Sequence, residues 1–202
     1  MAKYITVYLI RHGETFWNVK EITQGHRATR LTKKGVMQAE KLAESFKDIP
    51  LTKIYCSPLF RTMQTAKRIL KYHSPSKLIK WPEFVEIKSG ALEGLSHKKQ
   101  RELFPEIQKD MKSSERLDWR PPNGESVREL YQRVIKGFNK MIRQHKPGEN
   151  ILVITHGGVL LCLLLEFQGK GVRDLAFNKC IDNCEIIEVL WDKKPKRIRH
   201  IK

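Results

Sequence analysis

Apolar and polar positions along the chain follow two rhythms. Residues 4–10 form a β-branched apolar run that stops at Arg11-His12-Gly13, which predicts a buried strand. Thr32 then precedes apolar positions at Val36, Ala39, Leu42, Ala43 and Phe46, the 3.6-residue period of a capped helix. Residues 53–56 read as a second short strand. Ser57-Pro58 follows and predicts an N-cap with proline at the first helical position, with Leu59, Met63, Ala66 and Leu70 along one helix face. Residues 78–87, interrupted by Pro82, hold an edge strand.

Beyond residue 89 the pattern weakens. Gly90, Gly94, Pro105 and Pro121-Pro122 break residues 89–122 into short pieces, read as a partly helical, lid-like insertion. Ser126 and Glu129 match a capping box, and Val127, Leu130, Tyr131, Val134, Ile135, Phe138, Met141 and Ile142 make the clearest amphipathic helix of the chain. Residues 151–154 form another buried strand, ending at Thr155-His156-Gly157-Gly158, and an apolar helix runs on to about Phe167. Residues 184–190 read as the last strand.

Strands alternating with helices predict an α/β fold: a three-layer sandwich with a largely parallel sheet and helices on both faces. Residues 1–202 are expected to form one domain, with no repeat and no internal linker. In a parallel sheet the motifs after the strands, Arg11-His12-Gly13, Ser57-Pro58 with Arg61, and His156-Gly157-Gly158, converge on the edge where ligands bind.

Composition changes the picture only in part. The chain has 202 residues, 39 Lys+Arg against 22 Asp+Glu, and a formal charge of +17. Such a charge raises nucleic acid, an acidic surface or an anionic substrate as partners. Its densest runs are residues 67–80 and a basic tail at 193–202, both read as solvated surface. Only Tyr72 brings an aromatic ring into these runs, too little interleaving for base stacking, so nucleic acid is not expected as a partner. The most apolar run, residues 159–165, is too short to span a bilayer, and no signal-peptide pattern opens the chain. Cys56, Cys162, Cys180 and Cys184 show no zinc-ligand spacing, and a reducing, cytoplasmic setting with no membrane partner is expected.

The motifs carry more. Leu9-Ile10-Arg11-His12-Gly13-Glu14-Thr15 with Trp17-Asn18, Gln24-Gly25, Leu31-Thr32 with Gly35, Ser57-Pro58-Leu59 with Arg61-Thr62, Glu86, Glu93-Gly94, Asn123-Gly124-Glu125-Ser126 and Thr155-His156-Gly157-Gly158 occur in order. Together they resemble the histidine phosphatase superfamily, the phosphoglycerate mutase-like group marked by Arg-His-Gly. The resemblance implies that His12 attacks phosphorus and forms a phosphohistidine. Arg11 and Arg61 would grip the phosphoryl oxygens and keep His12 neutral, and His156 would donate to the phosphoryl group. Glu86 would be the general acid, with Glu83 and Glu93 as rivals and Glu93 read as a supporting carboxylate. Asn18, Gln24, Gly25 and Gly157 would complete substrate binding. The resemblance implies no metal and no cofactor. Ser126 is read as a cap, and Trp17 and Trp119 as packing residues, Trp119 with a lesser claim on the substrate mouth.

The family holds both phosphatases and mutases. The cofactor-dependent mutases resemble Glu-Arg-x-Tyr-Gly where this chain has Glu86-Ile87-Lys88-Ser89-Gly90, and Thr-Gly-Trp where it has Gln24-Gly25-His26. Both departures, with the short chain, point to the small phosphatase branch. The expected function is hydrolysis of a small phosphorylated metabolite. The alternatives are mutase-type phosphoryl transfer and a non-catalytic polyanion-binding module. Relatives of this kind commonly form dimers, so a homodimer is compatible with the resemblance.

Overall fold

The computed structural model describes residues 2–109, 113–174 and 181–201. Cys180 and Lys202 lie outside the described residues. Four strands run parallel: β1 (Ile5–Arg11), β2 (Leu51–Cys56), β3 (Leu78–Lys80) and β4 (Asn150–Thr155). Two more, β5 (Ile186–Asp192) and β6 (Lys194–Ile201), run antiparallel at one side, giving the sheet order β3-β2-β4-β1-β5-β6. The helices are α1 (Phe16–Val19), α2 (Lys33–Phe46), α3 (Phe60–Ile69), α4 (His97–Leu103), α5 (Ser114–Asp118), α6 (Val127–Ile142) and α7 (Gly157–Phe167).

Period-two alternation along the central strands makes the layers. Val7 and Leu9 of β1, with Ile151 and Val153 of β4, pack into the core under α6 and α7. Ile10, Leu152, Ile154 and Ile54 point the other way, onto Leu42, Ala43 and Phe46 of α2 and Ala66 and Ile69 of α3. Each fully buried Leu, Ile or Phe in these two cores stabilises the fold by about 1.5–3 kcal/mol. The mixed α/β architecture is thus reached by satisfying both faces of one sheet.

Two expectations change. The first concerns the start of α3. Ser57 does not cap it; the helix begins at Phe60 after Leu59 in extended conformation, with no side-chain cap. Thr62 closes that turn instead, its hydroxyl donating to the carbonyls of Ser57 and Leu59. The second concerns the basic tail. Residues 194–201 are not a free tail but β6, paired with β5 from Asp192↔Lys194 to Ile186↔Ile201. Its basic residues flank the half-buried Ile198, which packs on the core, and Arg197 and Arg199 both reach the buried Glu188 at 3.2 and 3.3 Å. The last apolar strand also starts later than expected, at Ile186, because Cys184 turns through a positive φ of 59°.

Between residues 89 and 122 the described segments carry only α4, α5 and short 3-10 turns. Asp118 of α5 is tied to Arg128 of α6, and Gln100 of α4 donates to Thr23 and to the Leu95 carbonyl. Among the described residues no helix is long and apolar enough to cross a membrane.

Candidate active site

Strand register brings the motifs together. Arg11 pairs with Thr155 across β1 and β4, so His12 and His156 leave the sheet side by side. The His12 N–H donates to the Thr155 carbonyl at 3.0 Å, and the Ser57 N–H to the Ile154 carbonyl at 3.0 Å. The two imidazoles meet edge-on with centroids 5.3 Å apart.

His12 is buried, and its hydrogen bonds select one tautomer. Nδ1 lies 2.8 Å from the Gly13 carbonyl, which can only accept, so Nδ1 carries the proton. Nε2 therefore holds a lone pair, and Arg61 Nε donates to it at 3.2 Å. Burial holds the His12 imidazole well below its ordinary 6.5, assisted by the Arg61 and then the Arg11 guanidinium; the Gly13 carbonyl opposes the shift. The result is a neutral imidazole whose unprotonated Nε2 accepts only from Arg61 among the described residues.

Arg61, in the first turn of α3, is 1% exposed. Its Nη2 donates to the Gly25 carbonyl at 2.9 Å and its Nη1 to the Arg27 carbonyl at 3.3 Å. Burial lowers its pKa to about 10, which leaves it charged at neutral pH. Arg11 donates through Nη1 to the Ile181 carbonyl at 2.6 Å, while its buried Nε has no partner among the described residues. Gly25 is bound to its position by conformation: φ is +48°, and a Cβ there would lie 2.2 Å from Glu93 Oε1.

His156 is fully buried, extended at the start of α7. Its Nε2 lies 2.8 Å from Ser57 Oγ, and its buried Nδ1 has no partner among the described residues. The Ser57 hydroxyl has no other acceptor among the described residues, so its proton is directed at Nε2, while the Leu59 N–H approaches the same oxygen at 3.4 Å. In that arrangement Nδ1 carries the ring proton. Burial, then Arg61, His12 and Arg11, pull the His156 pKa well below 6.5.

Glu86 sits at the N-terminus of α7. Its Oε1 accepts from the Ile87 N–H at 2.9 Å and its Oε2 from the Gly158 N–H at 3.3 Å. A Cβ on Gly158 would meet Oε1 at 2.4 Å, so the carboxylate needs glycine there. The rivals are elsewhere: Glu83 pairs with Lys140, and Glu93 with Arg27 while accepting from the His26 N–H.

These groups open on a cavity of about 370 Å³. Arg11, His12, Gln24, Gly25, Arg61, Glu86 and Gly157 line it. Gln24 accepts from the Thr29 hydroxyl at 2.6 Å. Two sequence-derived candidates are not in the wall: His156, which is fully buried, and Asn18, whose Oδ1 accepts from the Thr15 N–H and hydroxyl in the capping box of α1. Trp119 does line the cavity, and Ser126 caps α6 with Glu129 in a capping box. Among the described residues no three His, Cys, Asp or Glu side chains are arranged to hold a metal ion.

Some participants escaped the sequence. Ser57, read as a helix cap, instead holds His156. Asn183 donates to the His12 carbonyl at 2.8 Å, and the Cys184 N–H to the Arg11 carbonyl at 3.0 Å, so residues 181–184 brace the end of β1 from a distance no local pattern signals. His26 donates through Nε2 to the Glu86 carbonyl at 2.8 Å.

The family model for the histidine phosphatase superfamily (branch 1) matches residues 7–202. The chain is 32% identical over 197 residues to an uncharacterized phosphatase, PhoE, of Bacillus subtilis, covering 95% of this chain and 94% of that protein. It is 36% identical over 199 residues to a probable phosphoglycerate mutase, GpmB, of Proteus mirabilis, covering 95% and 87%. In structure it is similar to a putative α-ribazole-5'-P phosphatase from Escherichia coli, with a TM-score of 0.84, 27% identity, and coverage of 98% and 96%.

Proposed function

Because the chain belongs to the histidine phosphatase superfamily (branch 1), we propose that it hydrolyses a small phosphorylated metabolite through a phosphohistidine on Nε2 of His12. The observation that carries this reading is the His12 ring itself. Its proton is held at Nδ1 by Gly13, its Nε2 lone pair faces Arg61, and two further buried nitrogens, Arg11 Nε and His156 Nδ1, lack partners among the described residues. Unpartnered buried donors are rare, and here they suit the equatorial oxygens of a phosphoryl group.

The chemistry runs in two displacements. Nε2 of His12 attacks phosphorus and the ester P–O bond breaks, while Arg11, Arg61 and His156 hold the charge that builds on the phosphoryl oxygens. Glu86 gives its proton to the leaving alkoxide. Glu86 then takes a proton from water, the resulting hydroxide attacks phosphorus, and the N–P bond breaks to release phosphate and free His12. The α7 N-terminus beside Glu86 and Gly157 favours the anion throughout.

The test is trapping. Brief exposure to a ³²P-labelled monoester followed by denaturation should leave acid-labile, alkali-stable label on the protein and none on His12→Ala. Label that survives acid, or persists in the variant, would overturn the nucleophile. Glu86→Gln should slow alkyl phosphates far more than p-nitrophenyl phosphate, whose leaving group needs no proton; equal losses would make Glu86 structural.

The similarity to GpmB supports a second reading, phosphoryl transfer between positions of one substrate. Incubation with 3-phosphoglycerate and 2,3-bisphosphoglycerate separates the two. Accumulation of 2-phosphoglycerate without free phosphate would favour the mutase.

A further inference from the structure

Among the described residues of the 109–133 region, the cations are paired with one exception. Lys109 takes Glu115 at 2.6 Å, Arg128 takes Asp118 at 2.5 Å, Arg133 takes Glu125 at 2.8 Å, and Arg120 takes Glu129. Arg116 is flanked in sequence by Glu115 and Asp118, yet both carboxylates turn to other partners. Among the described residues no carboxylate lies within ion-pairing distance of Arg116. Its Nε donates to the Ile107 carbonyl at 3.3 Å, and its guanidinium carbon stands 5.7 Å from the centre of the Trp119 ring. Its terminal nitrogens have no hydrogen-bond partner among the described residues. Arg116 and Trp119 both line the cavity that holds His12.

Half-buried and with no counter-charge among the described residues, this guanidinium is costly; burial draws its pKa below the ordinary 12.5. A purely structural role would be met by the Ile107 bond and by stacking on Trp119, and would leave the terminal nitrogens idle. Arg116 lines the cavity with its Nε held by the Ile107 carbonyl and its guanidinium beside Trp119, and a planar fork with open terminal donors suits carboxylate or phosphate. Ile87, Leu92 and Trp119 provide apolar wall in the same cavity.

We propose that Arg116 binds a second anionic group of the substrate, with Trp119 against the apolar or aromatic body that separates it from the reacting phosphate. The substrate class is then a phosphomonoester whose alcohol portion carries a carboxylate or a second phosphate. This rests on the hydrolase reading above for the reacting end, and the test separates the two.

Calorimetric titration with benzylphosphonates bearing 4-carboxy, 4-phosphono or 4-carbamoyl groups reads the subsite without turnover. The two charged probes should bind about tenfold tighter than the neutral one, the worth of one charge-assisted contact. Arg116→Gln should bring that ratio close to one, and Arg116→Lys should retain part of it. Because the ratio is taken within each folded protein, a general loss of affinity does not imitate the effect. The better-bound charged probe identifies the anion as carboxylate or phosphate. Equal binding of charged and neutral probes by the unaltered protein, or a ratio unmoved in Arg116→Gln, would overturn the proposal. Charge preference without phosphate release from 4-carboxyphenyl phosphate would uphold the subsite and sink the hydrolase reading. Release without preference would do the reverse.

Discussion

Ser57 Oγ and His156 Nε2 lie 2.8 Å apart although 99 residues separate them in the chain. Both residues are fully buried, and the contact joins the turn after β2 to the turn after β4. A hydroxyl donating to Nε2 makes Nδ1 the protonated nitrogen, so a neutral His156 still offers one N–H. Ser57→Ala removes that donor and leaves Nε2 buried and unsatisfied, at a cost of about 1–3 kcal/mol. The ring then has no reason to keep its proton on Nδ1. Histidine ¹⁵N–¹H correlation spectra should show His156 changing tautomer in the variant, with kcat falling by roughly tenfold or more. An unaltered tautomer would show that Ser57 only fills space.

The two histidines also shape the response to acid. Burial and the nearby guanidiniums hold both imidazoles well below 6.5. In the proposed mechanism the neutral His12 is the reactive form, so kcat/KM should stay level as pH falls through 6.5 and decline only further down. Stability moves differently. Between the depressed native pKa values and 6.5, the unfolded chain binds protons that the native chain does not. Unfolding is therefore favoured as pH drops through that window, and the contribution of the neutral histidines is complete only above it. Thermal unfolding from pH 7 to 5 should show a steeper fall for the unaltered protein than for His12→Asn. Parallel curves would refute the assignment.

Gly25 is tied to catalysis through its backbone. Its carbonyl anchors Arg61 Nη2, and its φ of +48° together with the nearness of Glu93 excludes a side chain. Gly25→Ala should cost about 1–3 kcal/mol through backbone strain alone. The displaced carbonyl should also loosen Arg61, so KM for any phosphomonoester should rise beyond what the lost stability explains. A variant with ordinary KM would show that Arg61 needs no help from this loop.

Truncation after Asp192 distinguishes a strand from a tail. Removing β6 exposes the backbone edge of β5, strips the half-buried Ile198 from the core, and takes both Arg197 and Arg199 from the buried Glu188. Losing the paired edge and the burial of Ile198 should lower the melting temperature by about 2–4 °C per kcal/mol lost, with aggregation along the bare edge. A shortened protein that melts with the full chain would make the basic strand dispensable.

Much of the layer structure is legible in the chain itself. Strong signals of period two or 3.6 mark β1, β4, α2 and α6, because burial on one or both sides dictates which positions are apolar. The Arg-His-Gly and His-Gly-Gly motifs stand at strand ends and name their own family resemblance. β6 was hidden for a physical reason. A strand at the sheet edge, one face toward solvent, needs few apolar residues, so Pro195, Ile198 and Ile201 among lysines and arginines read as a solvated run.

The sequence by itself determined the element types of the central strands and main helices, the sheet's largely parallel character and the candidate residues for phosphoryl chemistry. Tertiary structure alone decided how those residues act. The His12 tautomer depends on where the Gly13 carbonyl points, Ser57 on a partner supplied by β4, and the unpaired state of Arg116 on its neighbours having found other cations. Protonation, tautomer and charge pairing are set by three-dimensional distance and by exclusion of water, and neither quantity is written in the order of residues.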